Sequence, residues 1–231
     1  MERIVGIRKE LEEQVAKRMV KGIENLLQEN DYLVLGIVGG SSVAGIFSYL
    51  KEYSIDWNKV HIFMADERLV PLDSDESNYK LAKEAFLDEL IGTGKLPKKN
   101  LHPFVYDPNQ KDYGLNSYIK DLNQYGGKMD IILLSAGEDG HTASLFPNHP
   151  SIEDESEAYI LVDNSPKPPV KRISASKNLL LKAKESFLLF FGEQKFDAYR
   201  RFSDEDISIK ECPSKLVKSI DKSYIFTDIE E

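Results

Sequence analysis

The sequence has one cysteine, four histidines and no long apolar run, and each shortage removes a class of function. Cys212 alone cannot form an intramolecular disulfide or a cysteine-based metal cluster, which suits a reducing compartment. No stretch approaches the ~20 apolar residues of a membrane-spanning helix, and Met1-Glu-Arg-Ile-Val5 lacks the apolar core of a signal peptide, so a cytoplasmic protein is expected. The histidines show no HExxH spacing, and no GxSxG elbow marks a nucleophilic serine. Positive charge is also in deficit. A net charge of −9 argues against nucleic acid or an anionic membrane as partner, while leaving room for a local basic pocket and a small anionic ligand. Repeats, low-complexity tracts and interdomain linkers are not visible.

What is present is a globular composition, 41% hydrophobic and 30% charged, long enough at 231 residues for one well-buried domain over 1–231. Apolar runs without polar alternation at 32–38, 60–65, 131–134 and 187–191 read as strands buried on both faces of a parallel sheet, with further strands at 158–162 and 223–227. Leu11, Val15, Met19, Ile23 and Leu26 place one apolar stripe on a helix from Lys9 to about Glu29. Helical patterns also run from Ser42 through Leu50, from a Ser77-Asn78 cap through Leu90, and from Lys111 to Tyr125, where Gly126-Gly127 ends it. A short strand fits at 101–105, with His102 as a loop residue. Ser165-Pro-Lys-Pro-Pro169 is a stiff loop, and Arg172, Ser174 and Ser176 are expected to open a helix near 177–184. The implied class is α/β: an open, mostly parallel, Rossmann-like sheet with helices on both faces.

In such sheets ligands bind beyond the carboxyl ends of the strands, and the unusual residues gather there. Gly39-Gly40-Ser41-Ser42 lies between a strand and a helix, where converging N–H groups, hydroxyls and a helix N-terminus suit a phosphate; a serine-capped tight turn explains the same letters. Asp66, Glu67 and Arg68 follow the next strand directly, either as functional groups or as a salt-bridged surface turn. Asp139 and His141 sit in the glycine-rich turn after the central strand. Lys195 opens a helix, against its dipole, which makes sense if it faces an anion.

Together these stretches resemble the 6-phosphogluconolactonase family, within the group of sugar-phosphate enzymes that includes glucosamine-6-phosphate deaminase. The resemblance rests on Gly39-Gly-Ser-Ser42, Asp66-Glu-Arg-Leu-Val-Pro71, Ser77-Asn78, Gly137-Glu-Asp-Gly-His-Thr-Ala-Ser-Leu-Phe-Pro147, and Ser165-Pro-Lys-Pro-Pro169 with Arg172-Ile-Ser174, in that order along the chain. The sequence departs from the family pattern at Ser42 (usually threonine), Val43 (usually proline), Ser135 (the first glycine of GxGxDGH) and Asn148 (the glycine of LFPG).

The resemblance implies hydrolysis of 6-phospho-D-glucono-1,5-lactone, with His141 passing a proton from water to the ring oxygen. Asp139 or Asp66 would orient the imidazole and Arg68 would steady developing negative charge. The amides of Gly39, Gly40 and Ser41, with Ser42, Arg172 and Lys195, would hold the 6-phosphate. Ester hydrolysis by this route requires no metal or cofactor, and a monomer or small homo-oligomer is expected. Two rivals remain. A deaminase would carry a glutamate five positions after the histidine, where this chain has Phe146. A non-catalytic sugar-phosphate sensor would keep the phosphate loop but could lose Asp66 and His141, and both are present.

Overall fold

The computed structural model describes residues 1–230. Ten strands are formed among them: β1 (Glu2–Val5), β2 (Leu33–Ile37), β3 (Val60–Met64), β4 (Asp66–Arg68), β5 (Leu101–His102), β6 (Ile131–Ser135), β7 (Tyr159–Val162), β8 (Arg172–Ala175), β9 (Glu185–Phe190) and β10 (Lys222–Thr227). Seven build one sheet in the order β1-β10-β9-β6-β2-β3-β5, every pairing in it parallel. Strands β2, β3 and β9 are buried at every position, because cover on both faces leaves no solvent side for polar alternation. The helix Arg8–Leu27 supplies part of that cover, burying Leu11, Val15, Met19 and Ile23.

The chain leaves β2 towards β3 and β5, then crosses back to place β6 on the other side of β2. Between β2 and β6 the connections diverge, opening a crevice at their carboxyl ends. The loops carrying Gly39–Ser42 and Asp139–His141 flank that point.

A second sheet, antiparallel and three-stranded, has the order β4-β8-β7. Here the structure differs from the expectation that Arg172–Ser176 opens a helix. Arg172–Ala175 is a strand, and only Ser176 caps the helix Lys177–Leu181, accepting from the amide of Leu179. The Asp66-Glu67-Arg68 turn is likewise a strand, paired Asp66 to Ser174 and Arg68 to Arg172. The chain passes between sheets at Met64–Ala65. Tyr118 and Tyr159 hydroxyls both donate to the Met64 carbonyl, at 3.3 and 2.8 Å, and the Ala65 amide donates to Ile37 O at 2.7 Å. These partners lie far away in sequence, so no local pattern announces the change of sheet.

Smaller differences have similar causes. β1, unexpected from its four residues Glu-Arg-Ile-Val, is added at the sheet edge by pairing with β10. His102 is not a loop residue: it is buried in β5, stacked on Phe63, 3.0 Å from His61 and 2.7 Å from Asp121. Burial depresses the pKa of both histidines, His61 to about 4, which suits neutral core side chains. No helix among the described residues is long and apolar enough to cross a membrane.

Candidate active site

The crevice beyond β2 and β6 is a cleft of about 250 Å³. Gly39, Gly40, Ser41, Ser42, Asp66, Arg68, His141, Arg172 and Lys195 all line it, and Asp139 lies behind His141. Four cations, Arg68, Lys167, Arg172 and Lys195, face two carboxylates, Asp66 and Glu138. The local field therefore favours an anion although the chain as a whole is acidic.

His141 is set by a tight turn in which the Gly137 amide donates to His141 O at 2.8 Å. Its ring lies over Gly137 so closely that a Cβ there would stand 2.0 Å from Cε1, so only glycine fits beneath it. Nδ1 is 2.5 Å from Asp139 Oδ1, which also accepts from the His141 amide at 3.2 Å. A carboxylate can only accept, so Nδ1 carries the hydrogen and, in the neutral imidazole, Nε2 is left with the lone pair. Burial pushes the Asp139 pKa up, but the hydrogen bond and charge of His141, with Lys167 3.7 Å away, hold it well below the usual carboxylate range. Asp139 is thus a fixed anion. The fully buried Phe146 ring packs 4.7 Å from the imidazole, closing its inner side with an apolar wall.

Asp66 does not orient His141, contrary to one of the two sequence expectations. Its carboxylate accepts from Ser144 Oγ at 2.8 Å and Asn78 Nδ2 at 3.1 Å. The strand alternation of β4 turns Asp66 to the cleft and sends Glu67 the other way, into a buried nest. There Glu67 accepts from the amides of Arg68, Asn78 and Tyr79 at 2.7 to 2.8 Å and from Ser77 Oγ at 3.0 Å. Ser144 is fully buried with its hydroxyl committed to Asp66, which removes it as a nucleophile.

Lys195 ends a short turn, Glu193–Lys195, after β9, and reaches back across β6. Its ammonium donates to Ser42 Oγ at 2.9 Å and Ser135 Oγ at 2.7 Å. Ser135, standing where the family pattern has glycine, thus adds a hydroxyl to hold it, beside the one Ser42 shares with the usual threonine. Burial and the neighbouring Arg8 charge lower its pKa to about 8. Asn148, the departure at LFPG, has φ 53°, a left-handed conformation that asparagine tolerates better than most residues other than glycine. The helix after the glycine loop, Ala44–Leu50, is only seven residues long, so its dipole adds little there.

Arg172 uses most of its donors internally. Nε donates to Pro169 O, Nη2 to Lys167 O and Pro168 O, all at 2.9 to 3.1 Å, so it holds the proline loop against the cleft. Arg68 Nη1 donates to Glu76 O at 2.5 Å, while its buried Nε has no hydrogen-bond partner among the described residues. Asn78, Ser135, Glu138, Lys167 and Gln194 also line the cleft and were not singled out from sequence. For Asn78, Ser135, Glu138 and Lys167 a signal existed, since all fall in motifs already noted, but they read there as a helix cap, a departure from a glycine, a turn residue and part of a stiff loop.

The family profile described as glucosamine-6-phosphate isomerases/6-phosphogluconolactonase matches residues 7–226. The chain belongs to this family. It is 34% identical over 203 residues to the 6-phosphogluconolactonase of Borreliella burgdorferi, covering 88% of this chain and 86% of the relative. It is 32% identical over 194 residues to that of Mycobacterium leprae, covering 79% and 77%. The crystal structure of a 6-phosphogluconolactonase from Shewanella baltica superposes with a TM-score of 0.84 at 25% identity, covering 98% of this chain and 96% of that one. A monomeric glucosamine-6-phosphate deaminase also superposes, with a TM-score of 0.79 at 18% identity, covering 98% and 97%. The family fold therefore serves both chemistries, and the side chains in the cleft must distinguish them.

Proposed function

We propose that this member of the family is a 6-phosphogluconolactonase, hydrolysing 6-phospho-D-glucono-1,5-lactone to 6-phospho-D-gluconate in the oxidative pentose phosphate pathway. The observation that carries the reading is the Asp139–His141 pair with Nε2 as its available base, set against Phe146. A deaminase needs a proton relay where this chain has a buried phenyl ring; hydrolysis of an ester does not.

In this scheme His141 Nε2 takes a proton from water as the oxygen attacks the lactone carbonyl, and Asp139 stabilises the imidazolium that results. The imidazolium then returns the proton to the ring oxygen as the C–O bond breaks, restoring neutral histidine. Arg68 offers charge to the tetrahedral oxyanion. Asp66 is free to accept from a sugar hydroxyl, since Asp139 alone orients His141. The 6-phosphate is held by the amides of Gly39, Gly40 and Ser41, by Ser42 and by Lys195, with Arg172 adding charge and shaping the rim. The substrate is a small sugar-phosphate lactone, the setting is the cytoplasm, and the working form is a monomer or small homo-oligomer.

The test is proton release from freshly generated lactone, followed over its spontaneous hydrolysis, with EDTA in parallel. Acceleration that survives EDTA is expected. An absence of acceleration, with deamination of glucosamine 6-phosphate instead, would reverse the assignment.

Lys195 adds a pH dependence with a definite sign. Free, its ammonium loses a proton near pH 8. A bound phosphate dianion favours the charged form, so binding near pH 8 takes up a proton and affinity falls as pH rises through that value. Calorimetry of 6-phosphogluconate binding in buffers of different ionisation enthalpy measures the uptake. Binding without proton uptake at pH 8 would remove Lys195 from the phosphate site.

A further inference from the structure

Arg8 and Glu12 lie outside the cleft lining, yet they join the glycine loop to the first helix. Arg8 begins the helix Arg8–Leu27, where a cation runs against the helix dipole and a single carboxylate, Glu10, supports it in the first turn. Its guanidinium is used elsewhere. Nη2 donates to Ser41 O at 2.7 Å, across 33 residues of sequence, and Nε donates to Glu12 Oε1 at 2.9 Å. Cζ stands 5.5 Å from the centroid of the Phe191 ring, at the start of the loop that carries Lys195. Glu12 is itself wedged against the start of the helix that follows the glycine loop, since a Cβ on Gly45, in Ala44–Leu50, would come within 2.2 Å of its Oε2. The side chain of Glu12 is mostly buried and that of Arg8 is not, so the carboxylate is the anchor and the guanidinium the arm.

Resting on the lactonase reading of this cleft, we propose that Arg8 is a positioning residue for the phosphate pocket, anchored by Glu12 and spanning the loops after β2 and β9. By pulling on the Ser41 carbonyl it holds that peptide plane, so the adjoining amides keep their aim into the cleft. A carbonyl free to rotate would point its negative end towards the same anion. The guanidinium also adds positive charge beside Lys195, whose other charged neighbours are Asp228, Glu138 and Lys167. Neither effect requires Arg8 to touch the substrate.

The experiment compares wild type with Arg8→Gln, Arg8→Lys and Glu12→Gln. It records kcat and KM for the lactone, and the affinity for 6-phosphogluconate, gluconate and inorganic phosphate from pH 6.5 to 9.5. Arg8→Gln is expected to raise KM and weaken 6-phosphogluconate about tenfold, with kcat reduced less than threefold and gluconate unaffected. The alkaline loss of binding should move to higher pH, because Lys195 has lost a repelling neighbour. Arg8→Lys keeps the charge and should leave that limb in place, and Glu12→Gln should fall between wild type and Arg8→Gln in affinity.

A purely structural Arg8 would lower thermal stability without moving the limb, and that result overturns the proposal, as does an unchanged affinity. Failure of the lactonase reading has a different signature. If wild type binds inorganic phosphate with the same dependence on Arg8 but neither binds 6-phosphogluconate nor hydrolyses the lactone, the positioning role stands and the assigned substrate falls. If wild type binds no phosphate compound, both fall.

Discussion

Replacement of His141 by alanine is expected to lower kcat for the lactone by roughly 10²–10⁴-fold, the range over which a positioned general base contributes. Affinity for 6-phosphogluconate should change little, because the phosphate contacts assigned to Lys195 and residues 39–42 come from other loops. The loss should appear in kcat and kcat/KM together, as it does when the missing interaction belongs to the transition state. Asp139→Asn sharpens the result. An asparagine amide turned to donate towards Nδ1 would favour the tautomer with its hydrogen on Nε2, leaving no lone pair for water. A fall in kcat approaching that of His141→Ala is expected, whereas Asp66→Asn, which leaves the imidazole partner untouched, should preserve the pH dependence of the base. Turnover near wild type in His141→Ala, measured against the spontaneous rate, would sink the mechanism.

Glu67→Ala should cost the fold about 3–5 kcal/mol, a large part of the stability of an ordinary domain. The carboxylate is 1% exposed and accepts from three backbone amides and one hydroxyl. Truncation leaves those donors without an acceptor and opens a cavity around them, each orphaned N–H carrying a penalty of about 1–3 kcal/mol that entering water offsets in part. Denaturant titration checks this, with Glu67→Gln retaining one oxygen and expected to lose about half as much. The site should suffer in parallel, because the same donors fix the start of the helix that carries Asn78, and Asn78 holds Asp66. A loss below about 1 kcal/mol would mean that water replaces the carboxylate freely, and that Glu67 does not fix the start of the helix that carries Asn78.

Glu67 also illustrates why sequence legibility differs from residue to residue. Three charged residues after a buried strand marked the place as unusual, but the letters do not say which of Asp66 and Glu67 faces the cleft. That choice follows from the pairing of β4 with β8, whose register sets Asp66 opposite Ser174. Arg172 to Ala175 read as the approach to a helix because Ser176 is a good cap, and it does cap one. What local chemistry cannot reveal is that the four residues before it lie extended between Tyr159–Val162 on one side and, on the other, Asp66–Arg68, more than a hundred positions earlier. His102 reads as a loop residue in sequence because its partners, His61, Phe63 and Asp121, come from two other elements.

The sequence by itself determined the α/β class, the positions of the long buried strands, the amphipathic first helix, and about half of the residues that line the cleft, among them His141, Asp66 and Lys195. Those are properties of periodicity and of motifs, and both are written in neighbouring residues. Tertiary structure alone decided that Asp139 rather than Asp66 pairs with His141, that Ser42 and Ser135 hold Lys195, and that Arg172 braces the proline loop. The reason is geometric: a hydrogen bond is settled within a few tenths of an ångström, so even near neighbours such as Asp139 and His141 meet only once their turn is set, and Ser42, Ser135 and Lys195 meet because the sheet places β6 between β2 and β9.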